Sequence, residues 1–364
     1  MAQSKLHTTY VKAKGGVSVI MLDVILAIVP LLVFAYLAHG ISSLLVLLVA
    51  VVTAVIAEVL FSSFYLGNKN TALDGTAVIT ALLMACTISP FTPWYIVAFG
   101  AASAILFGKI LWGGVGKNRF NPALVGREFM TAFFPVAMAS GTLWSTKGNV
   151  VVDDIRFFDN LGTHPFFTYL DDLLYKTSGA LGEYSILFIF LGGIYLIIRK
   201  RISWHIPLAI LAGILGLDWL LKSYELSYSL AGVLLGAIFI ATDMPSTPNT
   251  HAGKFYYGFM IAVTAVMCLL SDIRHEYMSY SILLLNGFSP YISKVFKPRV
   301  WGAKRDIPNY INNIFLLSLY IVGAALALLA LHYYGYVHYL IFIYVVYIIF
   351  KYSFFTTKQL SNPI

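Results

Sequence analysis

Charge is what this chain has least of. Only 11% of its 364 residues are Asp, Glu, Lys or Arg, against roughly 25% in a soluble globular domain. That scarcity excludes an ordinary water-soluble fold. Cysteine is also scarce: Cys86 and Cys268 are the two present, each inside an apolar run. With no Cys-x-x-Cys pair and no Cys/His cluster, iron–sulfur or zinc ligation within the chain is excluded, and two buried structural thiols are expected. The eight histidines are scattered, without a His-Glu-x-x-His pattern. No Walker or dinucleotide-binding glycine motif occurs, so no complete NADH site is expected in this chain.

What is present in quantity is hydrocarbon. Hydrophobic residues make up 59% of the chain, and the mean hydropathy is +0.82. The apolar runs have helix length, which predicts an all-α integral membrane protein and not a barrel. Twelve apolar segments are read at 17–38, 42–64, 76–90, 94–111, 129–145, 184–198, 203–221, 226–241, 255–272, 277–290, 313–333 and 337–351. The first lacks a small-residue cleavage site and reads as a span, not a signal peptide.

The few charges are unevenly placed. With the N-terminus inside, all Lys and Arg except Lys147, Arg156, Lys176, Lys222 and Arg274 fall on the inner side, Arg127 among them. This bias predicts a multi-pass protein of an inner or cytoplasmic membrane, with both termini cytoplasmic. It also accounts for the net charge of +8 without a nucleic-acid partner. The longest polar stretch, Trp144 to Glu183, is assigned to the outer side and is acidic and aromatic.

Spans one to five and six to ten read as two versions of one unit. Each third span leads into a proline-bearing turn, TISPFTPW at 87–94 and ATDMPSTPNT at 241–250. Five spans per unit requires the second copy to be inverted, an arrangement that builds midplane sites from interrupted helices. The chain is therefore divided into a first five-helix repeat (1–145), an outer loop (146–183), a second repeat (184–302), and a C-terminal helical hairpin with a basic tail (303–364).

Seven stretches carry a resemblance: VIMLDVILAIVPLL (19–32), AEVLF (57–61), DGTAVITALLMACTISP (74–90), GGVGKNRFNPALVGREF (113–129), GEYSILFIFLGGIYLI (182–197), ATDMPSTP (241–248) and KPRVWG (297–302). In order and context they resemble the RnfD/NqrB family, the membrane subunits of Rnf and Na+-translocating NADH:quinone oxidoreductase complexes. The absence of a long N-terminal extension is closer to RnfD. The resemblance implies a flavin-carrying subunit that relays electrons and couples this to Na+ or H+ translocation. It implies one FMN, bound covalently through a Thr on the outer side, and one riboflavin nearer the cytoplasm. It also implies membrane and soluble partner subunits, including one that bears FMN on the outer side.

The site residues are read with that implication. Asn118 and Asn121 offer amide donors and acceptors, and Pro122 with the neighbouring glycines permits non-helical backbone, so KNRFNPALVGR at 117–127 is assigned to the riboflavin. Asp74 and Asp243 each cap a helix or face the flavin or the cation path. Thr163, in DNLGTHPFF, is the candidate FMN-bearing residue. It departs from the family's motif through the inserted His164, so Thr168, noncovalent flavin or no outer flavin stand beside it. Glu58, Asp23 and Asp218 lie inside predicted spans, where a bare carboxylate costs about 2.5–3.5 kcal/mol. They are candidates for the ion path, Asp23 with the alternative of a cap or a pair with Lys14. Two other functions stand beside this one: an inverted-repeat solute transporter or channel, and a flavin-free scaffold paralogue in a redox complex.

Overall fold

The computed structural model describes residues 16–66, 74–140, 144, 171–176, 179–222, 224, 226–298 and 306–361, with side chains as far as residue 353. Among these residues the structure is all helix and loop, an all-α polytopic membrane protein. The helices are α1 (Val17–His39), α2 (Ile41–Tyr65), α3 (Thr76–Cys86), α4 (Trp94–Gly108), α5 (Pro122–Phe133), α6 (Ile186–Ile198), α7 (His205–Leu220), α8 (Leu230–Leu235, continued by a π turn at Gly236–Ile240), α9 (His251–Leu270), α10 (Tyr277–Val295), α11 (Ile307–Tyr333) and α12 (Val337–Ser361).

Composition explains the outer surface. Leu22, Leu26 and Val29 on α1, Leu44 and Leu48 on α2, and Phe315 and Leu319 on α11 are exposed large apolar side chains, an arrangement that only a lipid surround tolerates over such an area. The helix starts follow local chemistry. Ser185, Ser229, Thr250 and Asp306 each accept a backbone N–H of the first turn of α6, α8, α9 and α11, satisfying donors that have no partner within the helix. Small residues let helices touch. A Cβ on Gly126 of α5 would lie 2.6 Å from the Gly100 carbonyl of α4, so this crossing needs glycine, as is common between helices in lipid.

The fifth span differs from the sequence expectation of 129–145. Its helix starts at Pro122 and ends at Phe133, followed by a single turn at Pro135–Met138. Half of the stretch read as irregular backbone is therefore helical. The polarity of Arg127 and Glu128 hid it from a hydropathy reading. A second correction concerns Arg127, assigned by charge bias to the inner side. Its guanidinium is buried and donates to the His275 carbonyl at 2.6 Å, ahead of the first turn of α10, away from the basic end.

Helix ends gather into two groups. At the basic end Asp23 of α1 meets Arg199 and Arg201 beyond α6, Glu58 of α2 meets Lys109 beyond α4, and Tyr352 of α12 donates to the Tyr65 carbonyl of α2. At the opposite end the N–H groups of Leu181 and Gly182 donate to the carbonyls of Ile88 and Cys86, just past α3. There too Glu183 accepts from Ser229, which caps α8. The C-terminus of α3 and the N-terminus of α8 thus share one end. The two short helices, 11 residues in α3 and an α-to-π segment of similar length in α8, run in opposite directions. An 11-residue helix spans about 16 Å at 1.5 Å per residue, half of a hydrocarbon core, so each is an interrupted element.

Candidate functional site

Where α3 begins and α8 ends, a cavity of about 340 Å³ opens among α1, α3, α5 and the segment after α8. That volume lies within the ~300–1,000 Å³ of small-molecule sites. Its walls are apolar, with Ile20, Met21 and Val24 from α1, Ile79 and Leu83 from α3, and Ile238 and Phe239 from α8. Its polar groups come from loops and helix ends: Thr76, Lys109, Asn118, Arg201 and Asp243.

Asn118, Asn121, Pro122 and Asp243 all line this one cavity, although 125 residues separate Asn118 from Asp243. Their roles differ. Asn121 is the N-cap of α5: its Oδ1 accepts from Ala123 N–H at 3.0 Å and Leu124 N–H at 3.4 Å, and Pro122 follows at the first helical position. Its Nδ2 donates to the Ile240 carbonyl at the end of α8, at 3.1 Å. Both ends of this amide are committed to backbone, so Asn121 staples the two interrupted helices. Pro122 seats α5 on α4, since a Cβ on Gly108 would lie 2.7 Å from the Pro122 Cα.

Asn118 Nδ2 donates to the Phe120 carbonyl at 3.2 Å and to Asp243 Oδ2 at 3.1 Å; its side-chain oxygen faces no protein donor among the described residues. Asp243 also accepts from Ser246 Oγ at 3.1 Å. Burial pushes the Asp243 carboxyl up to about 6, against the lowering effect of the Ser246 and Asn118 hydrogen bonds. Opposite lies a chain of charge. Lys109 Nζ donates to Glu58 Oε2 at 2.8 Å and to Thr76 Oγ1, which in turn donates to Asp74. Asp74 also accepts the Thr76 N–H at 2.9 Å, which is the capping role. Asp74 does not itself line the cavity; Thr76 does.

The predicted intramembrane acids are placed as follows. Glu58 is wholly buried and ion-paired to Lys109. Asp23 is paired with Arg199 at 3.2 Å and Arg201 at 2.6 Å, and accepts from Tyr195 at 3.0 Å. Lys14, the partner that the sequence offered for Asp23, lies outside the described residues. Asp218 is at the other end of the molecule, half-buried, with Tyr228 Oη at 3.4 Å. Thr163 and Thr168 lie outside the described residues. Sequence reasoning missed Lys109, Thr76 and Arg201 as cavity residues. A lone lysine directly after an apolar helix was the available signal, and it was absorbed into the orientation rule. It also missed Glu128 and Glu183. Burial pushes the Glu183 carboxyl up to about 6, with Ser229 opposing.

Comparison with known proteins gives this geometry a kinship. The sequence profile of the NQR2, RnfD, RnfE family matches residues 5–302. The chain is 33% identical, over 318 residues, to the D subunit of a proton-translocating ferredoxin:NAD(+) oxidoreductase complex of Clostridium ljungdahlii, covering 81% of this chain and 95% of that protein. It is 32% identical to the D subunit of a Na(+)-translocating ferredoxin:NAD(+) oxidoreductase complex of Acetobacterium woodii, covering 81% and 94%. It is also 32% identical to the D subunit of an ion-translocating oxidoreductase complex of Marinobacter nauticus, covering 85% and 99%.

Proposed function

Because the chain belongs to the NQR2, RnfD, RnfE family, we propose that it is the flavin-carrying membrane subunit of an Rnf-type ion-translocating oxidoreductase, with riboflavin held in the cavity between α3 and α8. The coarser part is plain from kinship: relatives at about one-third identity are D subunits of such complexes. Other subunits of such a complex are accordingly its partners; in the finer reading they are membrane and soluble subunits, one of them bearing FMN on the outer side. The finer part rests on one observation. Asn118, Asn121 and Pro122, assigned to the riboflavin from sequence, and Asp243, read as a cap or as facing the flavin or the cation path, line a single cavity of suitable volume where two oppositely running half-helices stop, while Asp74, read in the same way as Asp243, stays outside it.

The donor set fits the ring. Apolar side chains from α1, α3 and α8 would cover its faces. The Asn118 side-chain oxygen would accept from the imide N–H, and Lys109, with one ammonium proton beyond those given to Glu58 and Thr76, would donate to a ring carbonyl. When bound, the flavin supplies the electron-transfer chemistry. The chain supplies position, exclusion of water, and at Asp243 a carboxyl that exchanges its proton near pH 6. In this reading the two five-helix units are inverted copies, the basic end is cytoplasmic with both termini, and electron relay is coupled to Na+ or H+ movement. An outer FMN esterified to Thr163 belongs to the same reading.

Two measurements test it. Riboflavin released by denaturing the purified complex is expected at one per chain, and to fall at least about tenfold, the loss of about 1.4 kcal/mol of binding, in Asn118→Ala and in Thr80→Phe, which fills the cavity. Full riboflavin content in both variants, with the complex assembled, removes the cavity from the flavin's path. In-gel fluorescence of the denatured chain reports the covalent FMN, and its survival in Thr163→Val would reassign the attachment.

A further inference from the structure

Helix α5 carries two successive charged residues, Arg127 and Glu128, exposed by only 7% and 3%. Successive helical residues point about 100° apart, and these two have separate environments. The Arg127 guanidinium is committed to the His275 carbonyl. The Glu128 carboxyl accepts from Thr131 Oγ1 at 3.1 Å through Oε2, while Oε1 is buried with no hydrogen-bond partner. Ser279 Oγ of α10 is also buried and lies against this carboxyl.

The other acids predicted inside spans are provided for. Asp23 has two arginines, Glu58 has Lys109, and Asp218 is half-exposed at a helix end. Among the described residues, Glu128 has no ion pair at all. It also lines a cleft of about 270 Å³ whose surface is almost wholly apolar, bounded by Phe129 of α5, Tyr280 of α10, Leu328 of α11 and Leu340 and Tyr344 of α12. The last two helices lie beyond the family match, which ends at residue 302. They are held in place by polar contacts: Tyr344 Oη accepts from Trp112 Nε1 and donates to the Phe107 carbonyl, each at 2.9 Å.

We infer that Glu128 is a proton-carrying carboxyl of the membrane interior, reached through the cleft that the C-terminal hairpin closes. Inside a span a carboxylate with no ion pair is costly, and a neutral acid is much less so. Protonation gives the carboxyl a proton to donate, and the Ser279 hydroxyl beside it can accept that bond as readily as it can donate to the charged form. Sodium is the poorer occupant, because the cleft wall beside the carboxyl is almost wholly apolar and a sodium ion needs several oxygen ligands. The charged and titratable groups around it are Arg127 on α5, Glu276 and Tyr280 on α10, and Tyr344 on α12, with His332 of α11 against the Tyr280 ring at 5.8 Å between centroids. Leucine would fill this site at lower cost, and a carboxyl in that place fits proton exchange.

The inference rests on the reading of the complex as an ion translocator, and its test separates the two. Membranes holding the intact complex are treated with dicyclohexylcarbodiimide, an apolar reagent that adds to protonated carboxyls. The modified residue is then identified by mass spectrometry, while riboflavin content and electron transfer are read independently. Labelling is expected at Glu128 and not at Glu58, undiminished by Na+ at constant ionic strength, and lost in Glu128→Gln. Glu128→Gln is expected to keep its riboflavin and lose cation movement, and Glu128→Asp to regain part of it. Absence of a Glu128 adduct in the assembled wild-type complex, protection by Na+ alone, or full cation movement in Glu128→Gln would each overturn the assignment, whatever the flavin content shows.

Discussion

The two sides of the cavity are finished in opposite ways. On the α3 side, Asp74, Thr76, Lys109 and Glu58 form one run of contacts with two acids and a buried cation. On the α8 side, Asn121, Asn118, Asp243 and Ser246 form a network of amides, a hydroxyl and one half-buried acid, with no cation in it. Both networks terminate an interrupted helix, and both must satisfy backbone groups that lipid cannot. The difference is in what each can change. The α3 side is locked, because a buried pair cannot give up one charge without stranding the other. The α8 side can gain or lose a proton and keep its hydrogen bonds.

The largest effect expected from this contrast is at Lys109. Lys109→Met leaves Glu58 buried without its cation, which costs about 3–5 kcal/mol for pairs of this kind. Adding Glu58→Gln should recover most of that loss, since the stranded charge is then gone. The readout is the temperature at which the detergent-solubilised complex loses its monodisperse elution peak. Single and double variants with the same midpoint would show that Glu58 is already neutral, and the α3 side would no longer differ in kind from the α8 side.

Asn121 comes next. Asn121→Ala removes the cap of α5, worth about 1 kcal/mol, and strands the Ile240 carbonyl, worth about 1–3 kcal/mol when buried. Asn121→Ser keeps a capping oxygen and loses the donor to Ile240, so its midpoint should fall between wild type and alanine. A serine variant as unstable as the alanine one would assign the whole effect to the staple across the cavity and none to the cap.

These pairings show what the sequence could disclose. Helix existence was legible nearly throughout, because apolar runs bounded by Gly, Pro and basic residues leave few alternatives. The Asn121-Pro122 step is a readable helix start, a capping residue before a proline at the first position. It was read as a flavin contact for its amide donors and acceptors and for the family motif around it, and the structure gives that amide a capping role as well. Asn118, Pro122 and Asp243, singled out by motif and not by any local physics that joins residues so far apart, come to one cavity. What stayed hidden was the partner of each charge. Glu58 and Lys109 are 51 residues apart, and Asp23 and Arg201 are 178 apart. A hydropathy profile shows the cost of each acid and not the base that offsets it. Glu128 was the converse case: its cost was visible, but the helix that buries it was not.

The smallest effect, and the one that most sharpens the contrast, is the pH dependence at Asp243. The fold raises this carboxyl from its ordinary 3.8 to about 6, so it favours the protonated form. The stability this proton contributes is complete below about pH 4 and is lost as pH rises through about 6. Asp243→Asn accepts the same hydrogen bonds from Asn118 and Ser246 and carries no titrating proton. Its midpoint should match wild type at pH 4 and exceed it at pH 8, by about 1 kcal/mol or less since the residue is half-buried and solvent screens it. The Lys109–Glu58 pair lies across the cavity and makes no contact with Asp243, so the slope should survive in Glu58→Gln and vanish only in Asp243→Asn. Parallel curves for wild type and Asp243→Asn would mean that the carboxylate is charged throughout, held as firmly as its counterpart across the cavity, and the α8 side would have no proton to exchange with whatever that cavity holds.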